Sequence, residues 1–269
     1  MTRGTPNLSP TMHQKQSILI TGSTSGIGYA TAAVLLQKGH KVYLNGRSAE
    51  TVKSALNSLK ESQPDADVKA IVCDFSTAID LSKFPKHVDV LINNVGIYTS
   101  QSFYETTDQD WLNQFEVNCL SGVRLSRHYL PSMLEADFGR ILFTSSECAY
   151  LAPKDLIAYS ATKAALHALS RGLSQLTRGS GVTVNTIVPG STFTEGAESF
   201  IAAKAEAQDE PAEKVARDFI KTERPNSLIE RFARTEEVAN LIAFYASQES
   251  SAVNGSVIFC EGGSTGATF

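Results

Sequence analysis

Tyr159 and Lys163 stand four residues apart, so on a helix they share one face. A phenol titrates near pH 10 and is a poor acid–base group at neutral pH. A neighbouring ammonium favours the phenolate, which makes proton transfer in both directions feasible. Ser146 lies 13 residues upstream of the tyrosine. Far upstream of both, Thr21–Gly28 reads TGSTSGIG, with Gly22, Gly26 and Gly28 between an apolar run and an amphipathic stretch. Glycine is costly inside a helix, so three of them at that place imply a need for bare backbone. A strand, a Gly-x-x-x-Gly-x-Gly turn and a helix together make a phosphate-binding element. The first glycine turns the chain, the second admits a pyrophosphate and the third lets helix and sheet pack closely. The phosphates then meet the positive end of the helix.

Short, β-branched apolar runs recur along the chain, at 17–20, 41–45, 68–73, 88–95, 140–145, 182–188 and 256–261. They are nearly unalternated, as expected of strands covered on both faces. Amphipathic stretches separate most of them: Ile27–Lys38 ending at Gly39, Asp108–Pro131, Ala158–Arg178 and Thr235–Ser247. Strand–helix alternation implies right-handed crossovers and a parallel sheet. The expected fold is α/β: a single doubly wound Rossmann-type domain over residues 17–269, with a seven-stranded parallel sheet and helices on both faces. Residues 1–16 are polar and Pro-containing and read as a disordered tail, with Met12 an alternative start. Residues 191–234 interrupt the alternation; they are charged and Ala-rich, helical over Glu198–Lys221, and read as a substrate lid near the carboxyl ends of the strands.

Thr-Gly-x-x-x-Gly-Ile-Gly resembles the turn of the short-chain dehydrogenase/reductase family, and the resemblance continues in family order over about Gln16–Gly263. It takes in Asp74, Asn93-Asn94-Val95-Gly96, Asn118, Ser146, Tyr159-Ser-Ala-Thr-Lys163, Pro189-Gly190 with Thr194, and Glu261-Gly262-Gly263. The resemblance implies hydride transfer to or from a nicotinamide cofactor. Tyr159 would exchange the proton of a carbonyl or alcohol oxygen, and Ser146 would hydrogen-bond that oxygen, with Ser145 its rival. Lys163 would hold the nicotinamide ribose and tune Tyr159, helped by the positive charge of the oxidised ring, and Asn118 would support a water relay behind Lys163. The implied cofactor contacts are Thr21, Gly22, Ser25, Gly26, Ile27, Gly28, Arg47, Asp74, Asn94, Gly96, Tyr159, Lys163, Pro189, Gly190 and Thr194. In relatives that use NAD, an acidic residue after the second strand binds the adenosine ribose. Here Gly46 stands in that place and Arg47 follows, free to pair with a 2′-phosphate, with Asn45 and Ser48 as further donors. NADP(H) is therefore favoured over NAD(H).

The expected activity is interconversion of a ketone or aldehyde and an alcohol. A 3-oxoacyl carrier-protein reductase is the alternative within the class. Glu135 and Asp137 precede the Gly-Arg of the fifth strand, where such enzymes dock an acidic partner with basic residues, so like charge disfavours it. A catalytically idle dinucleotide sensor is the alternative outside it. Net charge is −4 with no basic stripe, which argues against nucleic acid. No apolar run approaches membrane-spanning length. The cysteines Cys73, Cys119, Cys148 and Cys260 are widely spaced, so no metal site is expected and a reducing, cytoplasmic setting is. A homotetramer or homodimer is implied by the family, with Phe103, Phe115, Leu125 and Leu169 available as contact faces or as core. Glu147, Cys148, Tyr150 and Tyr98 are expected to line the substrate pocket.

Overall fold

The structure, a computed structural model, describes residues 15–266. Seven strands form one parallel sheet: β1 (Ser17–Ile20), β2 (Lys41–Gly46), β3 (Val68–Val72), β4 (Val90–Asn93), β5 (Gly139–Thr144), β6 (Val182–Pro189) and β9 (Val257–Cys260), in the order β3-β2-β1-β4-β5-β6-β9. Every pairing is parallel, so each connection must cross over a face of the sheet. One face carries α1 (Gly26–Gln37), α2 (Ala49–Ser62) and α9 (Thr235–Ala246). The other carries α3 (Asp108–Phe115), α4 (Ser121–Glu135) and α6 (Ile157–Leu176). Successive strand residues feed opposite cores, which explains the unalternated apolar runs. In β1, Ile18 and Ile20 join the first core while Leu19 joins the second; in β5, Leu142 joins the first and Ile141 and Phe143 the second.

The expected Asp108–Pro131 helix is a longer run with a change of winding. Between α3 and α4, Glu116–Leu120 form a π turn, and Pro131 lies inside α4. The helix expected over Glu198–Lys221 is two helices, α7 (Glu195–Gln208) and α8 (Ala212–Glu223). The break falls at Asp209, which is left-handed at φ 54°, and Pro211 then stands as the N-cap of α8, where its missing N–H breaks no intrahelical bond. α7 and α8 share a small core of their own, Ile201, Ala205 and Val215 with Phe219 and Phe232 against them. A short α5 (Cys148–Leu151) follows β5. Two strands without a sequence signal, β7 (Thr192–Phe193) and β8 (Ala233–Arg234), pair in parallel at the base of the insert.

Most of the expected tail lies outside the described residues, but Gln16 is buried and its N–H donates to His40 Nδ1 at 3.2 Å. Leu125 is core, Phe115 and Leu169 pack against it, and Phe103 is exposed. Among the described residues, no helix is long and apolar enough to cross a membrane and no cluster of metal-ligating side chains occurs.

Candidate active site

The sheet order reverses between β1 and β4, the place in a doubly wound sheet where ligands bind at the carboxyl ends of the strands. Each candidate residue sits on a segment that leaves one of these ends. The glycine turn leaves β1 and enters α1. Gly22 and Gly26 are left-handed, at φ 60° and 57°, and a Cβ at Gly28 would lie 2.4 Å from the Gly22 carbonyl. Thr21 and Asn94 brace this turn from within. The Thr21 hydroxyl accepts the N–H of Asn94 and of Val95, both at 3.0 Å, and the Asn94 amide donates to the carbonyls of Thr21 and Gly22 at 3.1 and 2.9 Å. Thr21 is fully buried, so it serves the turn from behind. Ser25 caps α1 without a side-chain bond and is exposed, with Ile27 half-buried beside it.

One contact at this turn was not foreseen. The Gly26 N–H donates to the Glu195 carboxylate at 2.8 Å, where α7 begins. An anion thus already rests on the N-terminus of α1, as the helix dipole and free N–H groups favour. The donor set therefore fits a pyrophosphate. The sequence cue was there in Thr194-Glu195, but only the fold brings α7 against α1. Thr194 caps α7, accepting the Ala197 N–H at 3.3 Å, and its methyl faces Gly26.

At the adenosine end, a Cβ on Gly46 would lie 2.5 Å from Thr24 and 2.8 Å from Val52, so these neighbours leave no room for an acidic side chain. Arg47 is exposed and close enough to Asp74 to hold that carboxyl down, although the two bonds from Ser76 to Asp74 do more. Asn45 departs from expectation. It is buried, accepts the Gly22 N–H at 3.0 Å and donates to Ile71 and Cys73 carbonyls, so its polar atoms are spent on the turn and on β3. Ser48 accepts the Thr51 N–H as the cap of α2.

The catalytic candidates converge from four segments. Tyr159 and Lys163 lie one turn apart on α6, with Lys163 Nζ 5.6 Å from the Tyr159 ring centre. Lys163 is buried, donates to the Thr144 carbonyl at 2.8 Å, and stands 3.1 Å from where a Cβ of Gly96 would be. Ser146, just past β5, carries its hydroxyl beside the phenol and accepts the Cys148 N–H at 3.1 Å. The rival Ser145 is buried; its hydroxyl donates to the Lys163 carbonyl at 2.9 Å and lies 2.8 Å from His167 Nε2, a partner the sequence did not announce. Asn118 sits in the π turn. Its side chain accepts the Ile97 N–H at 2.7 Å and donates to the Ile97 carbonyl and the Thr162 hydroxyl, both at 2.9 Å. Pro189 and Gly190 close the far wall. Gly190 N–H donates to the Cys260 carbonyl at 3.0 Å, and the Pro189 carbonyl accepts the Glu147 N–H at 2.9 Å.

The electrostatics differ from expectation. Burial raises the phenol of Tyr159 well above its ordinary value, the charges of Cys148, Tyr98 and Glu147 add to that, and the Ser146 hydroxyl pulls the other way. Burial also pushes Lys163 down to about 8. Desolvation is the largest cause at both groups. Of the expected pocket residues, Tyr98 packs edge-on against Tyr159 at 5.7 Å between ring centres, while Tyr150 packs on His167 and Phe259 instead.

The family model for short chain dehydrogenases matches residues 16–205. An uncharacterized oxidoreductase of Bacillus subtilis strain 168, YvrD, is 42% identical over 256 residues, covering 93% of this chain and 96% of that protein. YvaG of the same organism, also named an uncharacterized oxidoreductase, is 38% identical over 95% of this chain and 98% of its own. Among solved structures, L-sorbose reductase from Gluconobacter frateurii complexed with NADPH and L-sorbose superposes with a TM-score of 0.86 at 27% identity, covering 94% of this chain and 97% of that one. The chain belongs to the short-chain dehydrogenase/reductase family and is an oxidoreductase acting on CH–OH groups.

Proposed function

We propose that this chain is an NADP(H)-dependent reductase or dehydrogenase that interconverts a small ketone or aldehyde and its alcohol. The observation that carries this reading is the meeting of Ser146 and Tyr159 hydroxyls above a buried Lys163, at the mouth of a glycine turn that already holds an anion. The nicotinamide supplies the hydride and, when oxidised, a positive charge. Gly22, Gly26 and Gly28 receive the pyrophosphate, Gly96, Pro189, Gly190 and Thr194 flank the nicotinamide half, and Arg47 takes the 2′-phosphate. Ser146 donates to the substrate oxygen and fixes its position. Tyr159 moves the proton to or from that oxygen, and Lys163 offsets the phenolate charge. Asn118 holds Ile97, and with it the wall that carries Tyr98, in place behind them. The insert over 191–234 acts as the substrate lid. Cofactor preference is supported by the bare Gly46 and by NADPH in the sorbose reductase complex. The enzyme is a cytoplasmic homo-oligomer.

Oxidation of NADPH and NADH against a panel of ketones and aldehydes tests this. The wild type turns over carbonyl substrates with NADPH, and Tyr159→Phe loses at least about 100-fold in kcat while binding the cofactor normally. Cofactor binding without turnover of any carbonyl or alcohol would replace this reading with that of a sensor. Arg47→Ala lowers kcat/KM for NADPH roughly 10- to 100-fold and leaves NADH nearly unaffected, the signature of one lost charge-assisted pair.

A further inference from the structure

Glu147 directly follows Ser146, and it is a carboxylate at a place with almost no water. The residue is 2% exposed. Its Oε1 accepts the Ser191 hydroxyl at 2.8 Å and pairs with Nε of Arg224. Its Oε2 is buried with no hydrogen-bond partner. Arg224 ends α8, 77 residues downstream, and is itself largely buried, with an Nη1 that donates to the Glu223 carbonyl at 2.7 Å. Ser191 opens the insert and Arg224 lies toward its close, so both reach one oxygen beside Ser146. A buried carboxylate is expensive unless paired, and removing its partner leaves the charge stranded. The pairing cation comes from the insert.

We propose that Glu147 and Arg224 are positioning residues, a latch by which the guanidinium of the insert holds it down on the segment that carries Ser146 and assembles the site around Tyr159 only while the insert is seated. This rests on the oxidoreductase roles given above for Ser146 and Tyr159. The latch also sets the charge near the phenol. Tyr159 is faced by Lys163 from its own helix, by Glu147 and Cys148 from the segment after β5, and by Tyr98 from the segment after β4. Arg224, Glu147 and Asp155 all act on the Cys148 thiol. With the insert seated, the charge of Glu147 is compensated. With it lifted, a lone carboxylate remains beside the phenol and holds the phenolic proton more tightly, which idles proton transfer.

The test compares wild type, Arg224→Gln, Arg224→Lys, Glu147→Gln and the Glu147→Gln/Arg224→Gln double variant by three readouts. Amide hydrogen exchange over 195–223 reports insert seating without turnover. Arg224→Gln speeds it about tenfold or more, and Arg224→Lys restores much of the protection. NADPH affinity, by fluorescence titration, shifts in Arg224→Gln because Glu195 at the start of the insert rests on the Gly26 N–H, and Arg224→Lys returns it toward the wild-type value. In alcohol oxidation, where Tyr159 must be deprotonated to take the proton, Arg224→Gln raises KM and moves the acid limb of the pH profile upward, while the double variant returns the limb toward or below that of the wild type because no stranded charge remains. Unchanged exchange in Arg224→Gln overturns the latch. So does a pH limb that is the same in the single and double variants. Should Arg224→Gln fail to fold, Glu147→Gln and Arg224→Lys carry the comparison through the same exchange measurement. A wild type without turnover would refute the proposed function alone, since exchange judges the latch by itself.

Discussion

Lys163 is held in a state that its surroundings resist. Burial brings its ammonium to about 8 from an ordinary 10.5. Between those values the unfolded chain keeps a proton that the folded protein has released, so stability rises with pH across that window, and below pH 8 the full penalty stands. Tyr159 and Cys119, both raised by burial, act in the opposite sense above about pH 9. The contribution of Lys163 is therefore read as a difference. Urea unfolding of wild type and Lys163→Met from pH 7 to 10.5 shows the wild type gaining on the order of 2 kcal/mol relative to the variant. The same substitution removes the cation that offsets a phenolate at Tyr159, so kcat falls while the protein stays folded. Destabilised charge of this kind is a common property of catalytic groups.

At the scale of elements, two helix starts compete for one anion. Glu195, the first residue of α7, rests on the first N–H of α1. A pyrophosphate on the same N–H must displace that carboxylate, since two anions cannot share it. Glu195→Gln therefore tightens NADPH binding about 3- to 10-fold, with a shallower salt dependence, as fluorescence titration at several ionic strengths will show. The strand ends opposite the site are tied by a different device. Arg140, fully buried in β5, donates to the carbonyls of Gly139, Gly181 and Ser247 and lies over the Phe138 ring. Arg140→Met strands those carbonyls and costs roughly 3 kcal/mol or more in denaturant unfolding, with little change in KM. The π turn at Asn118 belongs to this scale as well. Such turns re-aim a side chain within a helix, and this one brings the Asn118 amide onto both polar groups of Ile97.

For the molecule as a whole, the sheet, its order of layers and the meeting of Tyr159, Lys163 and Ser146 were legible in the sequence because each rests on local pattern: apolar runs, glycine spacing, and a Tyr-x-x-x-Lys turn. What was not legible depends on where distant segments meet. Asn45 reads as a phosphate donor in its strand, yet the fold turns it inward onto Gly22 and Ile71. The phenol reads as lowered by its lysine and by an oxidised nicotinamide ring, and burial of both side chains works against that lowering. Arg224 carries no motif and Glu195 only follows Thr194, and their partners Glu147 and Gly26 are 77 and 169 residues away. The short β7 and β8 have no composition to announce them, but they align Thr192 with Ala233 and Phe193 with Arg234, running the same way. The chain thus leaves the sheet and returns to it through one narrow doorway, without disturbing the strands on either side. The stretch between those two strands, with Thr194, Glu195 and Arg224 retained, can be traded for the corresponding stretch of a relative with little strain on the dinucleotide half. Such a chimera should keep its melting temperature within a few degrees and its NADPH affinity, while its substrate range follows the donor, which thermal melts and a carbonyl panel would reveal.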